Sequence, residues 1–390
     1  MTAVSLLAAV ALATPAGAAG FNTLSGTQPD IWSHRGASLF SRENTIEAFE
    51  LSDRLGADGF ELDLVLTRDN QLAVFHDQTL NVRTNVEDLF GPERARDDGN
   101  FHVADFTMDE LRTLAVDAPR DEFIRNPAVN PYAVGADTVF RIPTYAEALD
   151  VLATTPAAQV LTEVKTLGGE RPGERETMID LLIDEWKARG YTGPGAPVRV
   201  QSFDLPFMTD MQARLDAEGM RIPTYQLDWR LLLDLGATTD EELSVAFADT
   251  YGMFDGLALN INVFPVDGAE FFSVLNPNAL DVVGAAHAAG LEVLVWTLAL
   301  PPGVNFEAEY VPWAFDPSLP IDWQNQYAQL YALGLDGIIT DTPDIGVATR
   351  ALFAESVDPI PLPASVVFLG TGLVALFAAA RRRASKVATS

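Results

Sequence analysis

The chain has 390 residues, 48% of them apolar, enough for one large domain or two small ones around a substantial core. A formal net charge of −30 argues against nucleic acid or an anionic membrane as the partner of a basic surface. With no cysteine, disulfides and zinc–thiolate sites are excluded, and any bound metal must sit on oxygen or imidazole ligands.

The chain opens on a short apolar run, 4–13, followed by Pro15-Ala16-Gly17-Ala18-Ala19. Small residues at Ala16 and Ala18 fit a signal-peptidase site, so 1–19 is expected to be an export signal, although Met1-Thr2-Ala3 lacks the usual basic start. Eight strand candidates follow, at 31–34, 59–66, 160–165, 198–203, 222–227, 256–260, 291–297 and 337–340. Between them lie helical patterns at 45–55, 145–154, 174–189, 205–218, 280–289 and 323–333. Gly190, Gly219, Gly290 and Gly334 each stop one of these just before a strand, as expected of repeated β-α units. The pattern predicts an α/β fold, a (β/α)₈ TIM barrel over 28–352, with its chemistry at the C-terminal ends of the strands. A doubly wound open sheet is the rival, weakened because no glycine-rich phosphate loop follows the first strand.

Leu72-Ala73-Val74-Phe75 follows a turn-like Arg68-Asp69-Asn70-Gln71 and is expected to return as a hairpin arm on the second strand. The charged stretch 83–140 breaks the β-α rhythm. It is expected to be an insertion packed near the active face, with one helix opened by the capping box Thr107-Met108-Asp109-Glu110. A second long loop, 301–323, carries Phe306, Tyr310, Trp313, Phe315 and Trp323, which either shape a pocket or pack the loop onto the barrel. After a linker, 353–363, the segment 364–383 is apolar up to Arg381-Arg382-Arg383. It is marginal for a bilayer crossing, which needs about 20 residues, and the arginines fit a cytoplasmic stop.

The chemistry concentrates between Ser33 and Thr79, a window that holds two of the four histidines. Glu61 and Asp63 alternate on one face of an apolar strand, roughly 7 Å apart. Paired buried carboxylates repel and resist desolvation, and a cation relieves both. A barrel would gather His34, Arg35, Glu61, Asp63, His76, Glu163 and Lys165 at one mouth. Three carboxylates suit a hard divalent ion, Ca²⁺ or Mg²⁺. Arg35 and Lys165 supply charge for a phosphate, and two imidazoles supply an acid and a base. Taken singly, a strand-end histidine is more often structural and a Glu-x-Asp pair is usually a solvated edge. Their conjunction points to phosphoester cleavage.

The ordered set His34-Arg35-Gly36, Glu43-Asn44-Thr45, Glu61-Leu62-Asp63, His76-Asp77, Glu163-Val164-Lys165, Gln201-Ser202-Phe203, Val295-Trp296-Thr297 and Ile338-Ile339-Thr340-Asp341 resembles the glycerophosphodiester phosphodiesterase family, over about 30–351. The resemblance implies a (β/α)₈ barrel that hydrolyses glycerophosphodiesters to glycerol 3-phosphate and an alcohol. It implies His34 and His76 as catalytic, Glu61, Asp63 and Glu163 as metal ligands, Arg35 and Lys165 as phosphate contacts, and Trp296 at the glycerol pocket. Glu43 is expected to be structural, capping the next helix, and Asp341 to be structural and to pair with Arg35. His102 and His287 are expected to be ordinary. The insertion, with Ala104-Asp105-Phe106-Thr107, resembles that of the exported bacterial branch, which implies Ca²⁺, with Mg²⁺ as the alternative. Ile360-Pro361-Leu362-Pro363-Ala364-Ser365 resembles a Pro-Leu-Pro-Ala exosortase sorting signal, which implies an exported protein, periplasmic or at the cell surface and at least transiently anchored in the membrane by its C-terminal segment, with an exosortase-type processing enzyme as partner. Two other readings stay open: a phospholipase D-like enzyme acting on lysophospholipids or sphingolipids, and an inactive surface-anchored binding protein.

Overall fold

A computed structural model describes residues 21–116, 124–128, 130–135, 137–155, 158–166, 171–229, 231–266, 272–298 and 323–356. The expected export signal, the sorting segment, most of the linker and the loop aromatics Phe306, Tyr310, Trp313 and Phe315 lie outside them; of Trp323 only the backbone is described. Among the described residues no helix is long and apolar enough to cross a membrane. One unit spans Phe21–Phe353.

The nine strands among its described residues are β1 Asp30–Ser33, β2 Gly59–Leu66, β3 Leu72–Val74, β4 Gln159–Val164, β5 Val198–Ser202, β6 Thr224–Asp228, β7 Gly256–Asn260, β8 Glu292–Leu298 and β9 Gly337–Thr340. Eight of them run parallel, and β1 pairs with both β2 and β9, which closes the sheet into the predicted barrel. The ninth, β3, returns antiparallel on β2 with Leu64 opposite Val74. Helices alternate with the parallel strands, from α1 Ile46–Arg54 to Pro343–Ser356. Local chemistry sets their ends. Thr45, Thr144, Asp204, Thr239 and Asp281 each accept a backbone N–H at a helix start. Gly219 closes Leu205–Glu218 with φ 66°, a left-handed turn that strains other residues. Asp240–Tyr251 is a helix beyond those expected from the sequence pattern, with buried Leu243, Phe247 and Tyr251 recurring every four residues.

Inside the barrel, Trp32, Leu161, Tyr225, Leu227, Ala258, Leu294 and Ile339 form an apolar plug. Below it, at the N-terminal ends of the strands, Arg199 is ringed by acceptors. Its guanidinium donates to Gln159 Oε1 at 3.1 Å, the Tyr225 hydroxyl at 2.6 Å and Asp30 Oδ2 at 3.2 Å, with Glu292 Oε2 at 3.6 Å. It also lies 5.3 Å from the centre of the Trp32 ring. Burial raises Asp30 from 3.8 to about 6 against the pull of Arg199, and raises Glu292 as well. Because the folded value of Asp30 exceeds the unfolded one, its contribution to stability is fully present below 3.8 and is lost as pH rises through about 6. Arg199→Met is therefore expected to cost about 3 kcal/mol at pH 7, by leaving two buried carboxylates without their counter-charge. Denaturant melts should show a smaller loss at pH 5, where Asp30 holds its proton.

The described part of the segment 83–140 carries a buried core of its own. Its Val86, Phe101, Val103, Phe106, Met108, Leu111, Leu114, Val116, Ile124 and Phe140 are buried in one cluster with Phe40 of the β1–α1 loop and Phe75 after β3. The charge noted in the sequence sits on the outside of that cluster, for example in the Arg96–Asp105 pair.

Candidate active site

All eight residues of β2 are buried, its two acids included. Strand alternation puts Glu61 and Asp63 on one face, and the β2–β4 register sets Glu163 directly beside Asp63. One carboxylate oxygen from each of the three lies within 4.8 Å of the others, and all three residues are buried. Burial, together with the charges of Asp63 and Glu163, pushes Glu61 well above the usual carboxylate range. Glu163 is also raised, by burial and by the charge of Asp63. Burial acts on Asp63 too, but Lys165 and Arg35 outweigh it and hold Asp63 well below the usual range.

Two cations converge on this cluster. Lys165, just past β4, places Nζ 3.0 Å from Asp63 Oδ1 and donates to Glu163. Arg35 places Nε 3.3 Å from Asp63 Oδ2, and its backbone N–H donates to Glu61 Oε2 at 2.8 Å. That backbone contact requires a sharp turn after β1. Arg35 sits at φ 55° and Gly36 at φ 77°, and a Cβ on Gly36 would meet Ala48 of α1 at 2.8 Å. Only glycine lets this loop lie so close to α1. Asn44, also left-handed at φ 56°, donates Nδ2 to Asp63 Oδ2 at 2.8 Å.

The two predicted histidines are each held through Nδ1. His34, at the end of β1, bonds Asp341 Oδ1 at 2.7 Å, and His76, after β3, bonds Asp77 Oδ1 at 2.5 Å. His76 is near enough for its charge to lower both Asp63 and Glu163. Trp296 donates Nε1 to Ala258 O at 3.0 Å and meets Phe203 edge to face, with ring centres 5.4 Å apart. His102 and His287 lie elsewhere, paired with Asp98 and Asp336, both at 2.8 Å.

Two expectations need correction. Asp341 pairs with His34 rather than Arg35, because the β1–β9 pairing puts the residue after β9 beside the residue after β1. Glu43 does not cap α1; Thr45 does, and Glu43 lies 3.1 Å from Arg35 Nη1 and 2.8 Å from Arg83 Nη1. Asn44, Asp77 and Arg83 are contributors to which sequence reasoning gave no role. The first two sat inside quoted motifs, beside residues that did receive one; Arg83 had no local signal.

Residues 34–345 match the model of the Glycerophosphoryl diester phosphodiesterase family. The chain is 26% identical over 347 residues to a glycerophosphodiester phosphodiesterase of Haemophilus influenzae, spanning 84% of this chain and 91% of that one. A glycerophosphodiester phosphodiesterase of Treponema pallidum is 28% identical over 221 residues, 54% of this chain and 59% of the relative. Among solved structures, an Oleispira antarctica phosphodiesterase in complex with the product sn-glycerol-3-phosphate shares the fold with TM-score 0.53 and 20% identity, over 84% of this chain and 99% of that one. A glycerophosphodiester phosphodiesterase from Parabacteroides distasonis does so with TM-score 0.52 and 18% identity, over 85% and 99%. With the family model running from the end of the first strand to beyond the last, the chain belongs to the glycerophosphoryl diester phosphodiesterase family.

Proposed function

We propose that this chain hydrolyses glycerophosphodiesters to glycerol 3-phosphate and an alcohol, with a divalent cation held by Glu61, Asp63 and Glu163. The observation that carries this reading is the buried three-carboxylate cluster, with one oxygen of each acid inside 4.8 Å and Lys165 and Arg35 drawn to it. The donor set fits a hard divalent ion: it is all oxygen, lies on one face of adjacent strands, and carries like charge that burial makes costly without a cation. A bound ion there supplies Lewis-acid charge for a phosphate oxygen. Ca²⁺ is the ion we assign, on the resemblance of the insertion to that of exported relatives.

The chain's own residues supply the rest. Arg35 and Lys165 neutralise a phosphate that enters beside the acids. The Nδ1 bonds to Asp341 and Asp77 fix both imidazole rings and leave each Nε2 to exchange a proton with substrate. One histidine deprotonates the nucleophile, and the other protonates the departing alcohol. The nucleophile is either water, which gives glycerol 3-phosphate directly, or the glycerol 2-hydroxyl, which leaves a cyclic phosphate that water then opens to glycerol 3-phosphate. Trp296 and the Phe203 ring against it form an apolar wall at the mouth. Export, membrane attachment through 364–383 and exosortase-type processing rest on the sequence pattern alone, and the domain limits 28–352 and 83–140 are likewise our assignment.

The test is turnover on a panel of glycerophosphodiesters, with lysophosphatidylcholine beside glycerophosphocholine, after chelation and add-back of Ca²⁺ or Mg²⁺. Release of glycerol 3-phosphate that is lost on chelation and restored by Ca²⁺ is the expected outcome. Restoration by Mg²⁺ alone would change the ion and not the activity. Preference for the lysolipid would move the chain to the phospholipase D-like reading, and no turnover on any member with either ion would overturn the proposal.

A further inference from the structure

Both ends of the proposed machinery are held by carboxylates, and each carboxylate spends both of its oxygens. Asp77 uses Oδ1 on His76 Nδ1, and Glu43 uses Oε1 on Arg35 Nη1. The second oxygen of each goes to the same guanidinium. Arg83 Nε donates to Asp77 Oδ2 at 2.8 Å, and Arg83 Nη1 lies 2.8 Å from Glu43 Oε2. The result is an unbroken chain, His76–Asp77–Arg83–Glu43–Arg35–Asp63. We propose that Arg83 is a positioning residue, which sets the imidazole of His76 and the guanidinium of Arg35 in one fixed relation to each other. The inference rests on the hydrolase reading of the site.

An isolated surface ion pair would not justify this, since such pairs contribute about 0–1 kcal/mol. Three features set Arg83 apart. Its planar fork spans two acids at once, a geometry that a lysine cannot copy. Its backbone is pinned on both sides: Leu80 N–H donates to Phe101 O at 2.9 Å, Thr84 N–H to Leu80 O at 3.1 Å, and Thr84 forms a bridge with Val116. Leu80, Val86 and Phe101 around it belong to the buried cluster of the segment 83–140. That segment therefore delivers one rigid cation to the mouth of the barrel. Asp77 accordingly lies down at about 2, since the His76 hydrogen bond and the Arg83 charge outweigh its burial.

The inference separates from a packing role by how the variants behave. With Ca²⁺ present and glycerophosphocholine as substrate, Arg83→Met is expected to lower kcat by about 10- to 100-fold through misplacement of His76. It should raise KM several-fold through Arg35. Arg83→Lys, which can reach one acid at a time, should fall between it and wild type. In the Asp77→Asn background, Arg83→Met should cost less in kcat than it does alone, because the route to His76 is already cut. A readout independent of activity comes from ¹⁵N NMR of the four imidazoles. Arg83→Met should shift the His76 ring signals and leave those of His34, held by Asp341, in place. Kinetic constants within twofold of wild type, effects on kcat that multiply independently, or unmoved His76 signals would each overturn the inference. Should Arg83→Met fail to fold, Arg83→Lys carries the same comparisons. An inactive wild type whose His76 signals still respond to Arg83→Met would overturn the hydrolase reading and leave the clamp standing.

Discussion

His34→Ala and His76→Ala are each expected to lower turnover of a glycerophosphodiester by about 10²-fold or more, with the fold intact. The two rings reach the site by different routes, one from the end of β1 and the other from the hairpin arm after β3. Yet both are treated alike, with Nδ1 bonded to a carboxylate, at 2.7 Å on Asp341 and 2.5 Å on Asp77. A ring that donates Nδ1–H to a carboxylate presents Nε2 as its exchanging nitrogen, so both are oriented for proton transfer rather than for packing. Neither ring is fully buried, so truncation opens no large core cavity and thermal melts should stay close to wild type. Steady-state assays at saturating ion, paired with those melts, make the check. Near-normal turnover in either folded variant removes that residue from the mechanism. A bond to Asp341 that merely stabilised the fold would make Asp341→Asn cost melting temperature and no turnover; we expect the reverse.

The barrel was legible because its signals are local. The run from Gly59 to Leu66 is apolar but for its two acids and is β2 to the residue, and Gly219 ends its helix by its own backbone conformation. The acid cluster was legible for the same reason, since a two-residue period places Glu61 beside Asp63 without knowledge of any other strand. What sequence could not supply was register across strands and the neighbours of loops. Asp341 was assigned to Arg35 because both carry charge near strand ends, but the β1–β9 pairing puts it against His34, 307 residues away in the chain. Glu43 looked like a cap because it precedes a helix, yet Thr45 has the shorter reach and an extended backbone. The segment 83–140 reads as a charged insertion near the active face, but its own apolar core is not legible. Its apolar residues are spaced irregularly, without the helical or strand period that betrays a core, and they are buried all the same.

Glu61→Gln separates an ion site from a network of salt bridges. Glutamine keeps the shape of the side chain, and its amide oxygen can still accept the Arg35 backbone N–H that Glu61 Oε2 accepts at 2.8 Å. What it removes is one of three acidic groups packed within 4.8 Å of one another, whose crowding Lys165 and Arg35, both already drawn to Asp63, offset in part. In chelated protein that removal relieves repulsion, so the melting temperature is expected to stay level or rise. With Ca²⁺ the order reverses. Wild type gains stability as RT ln(1 + [L]/Kd), about 2.7 kcal/mol at a hundredfold excess over Kd, whereas the variant, with one anionic ligand fewer, should gain little. Turnover should fall by about 10²-fold or more, as loss of several kcal/mol of charge stabilisation requires. If the cluster were held only by its own ion pairs, Glu61→Gln would lower the melting temperature of the chelated protein and Ca²⁺ would shift neither form. Differential scanning calorimetry of both proteins, with chelator and with Ca²⁺, decides between the two without reference to any substrate.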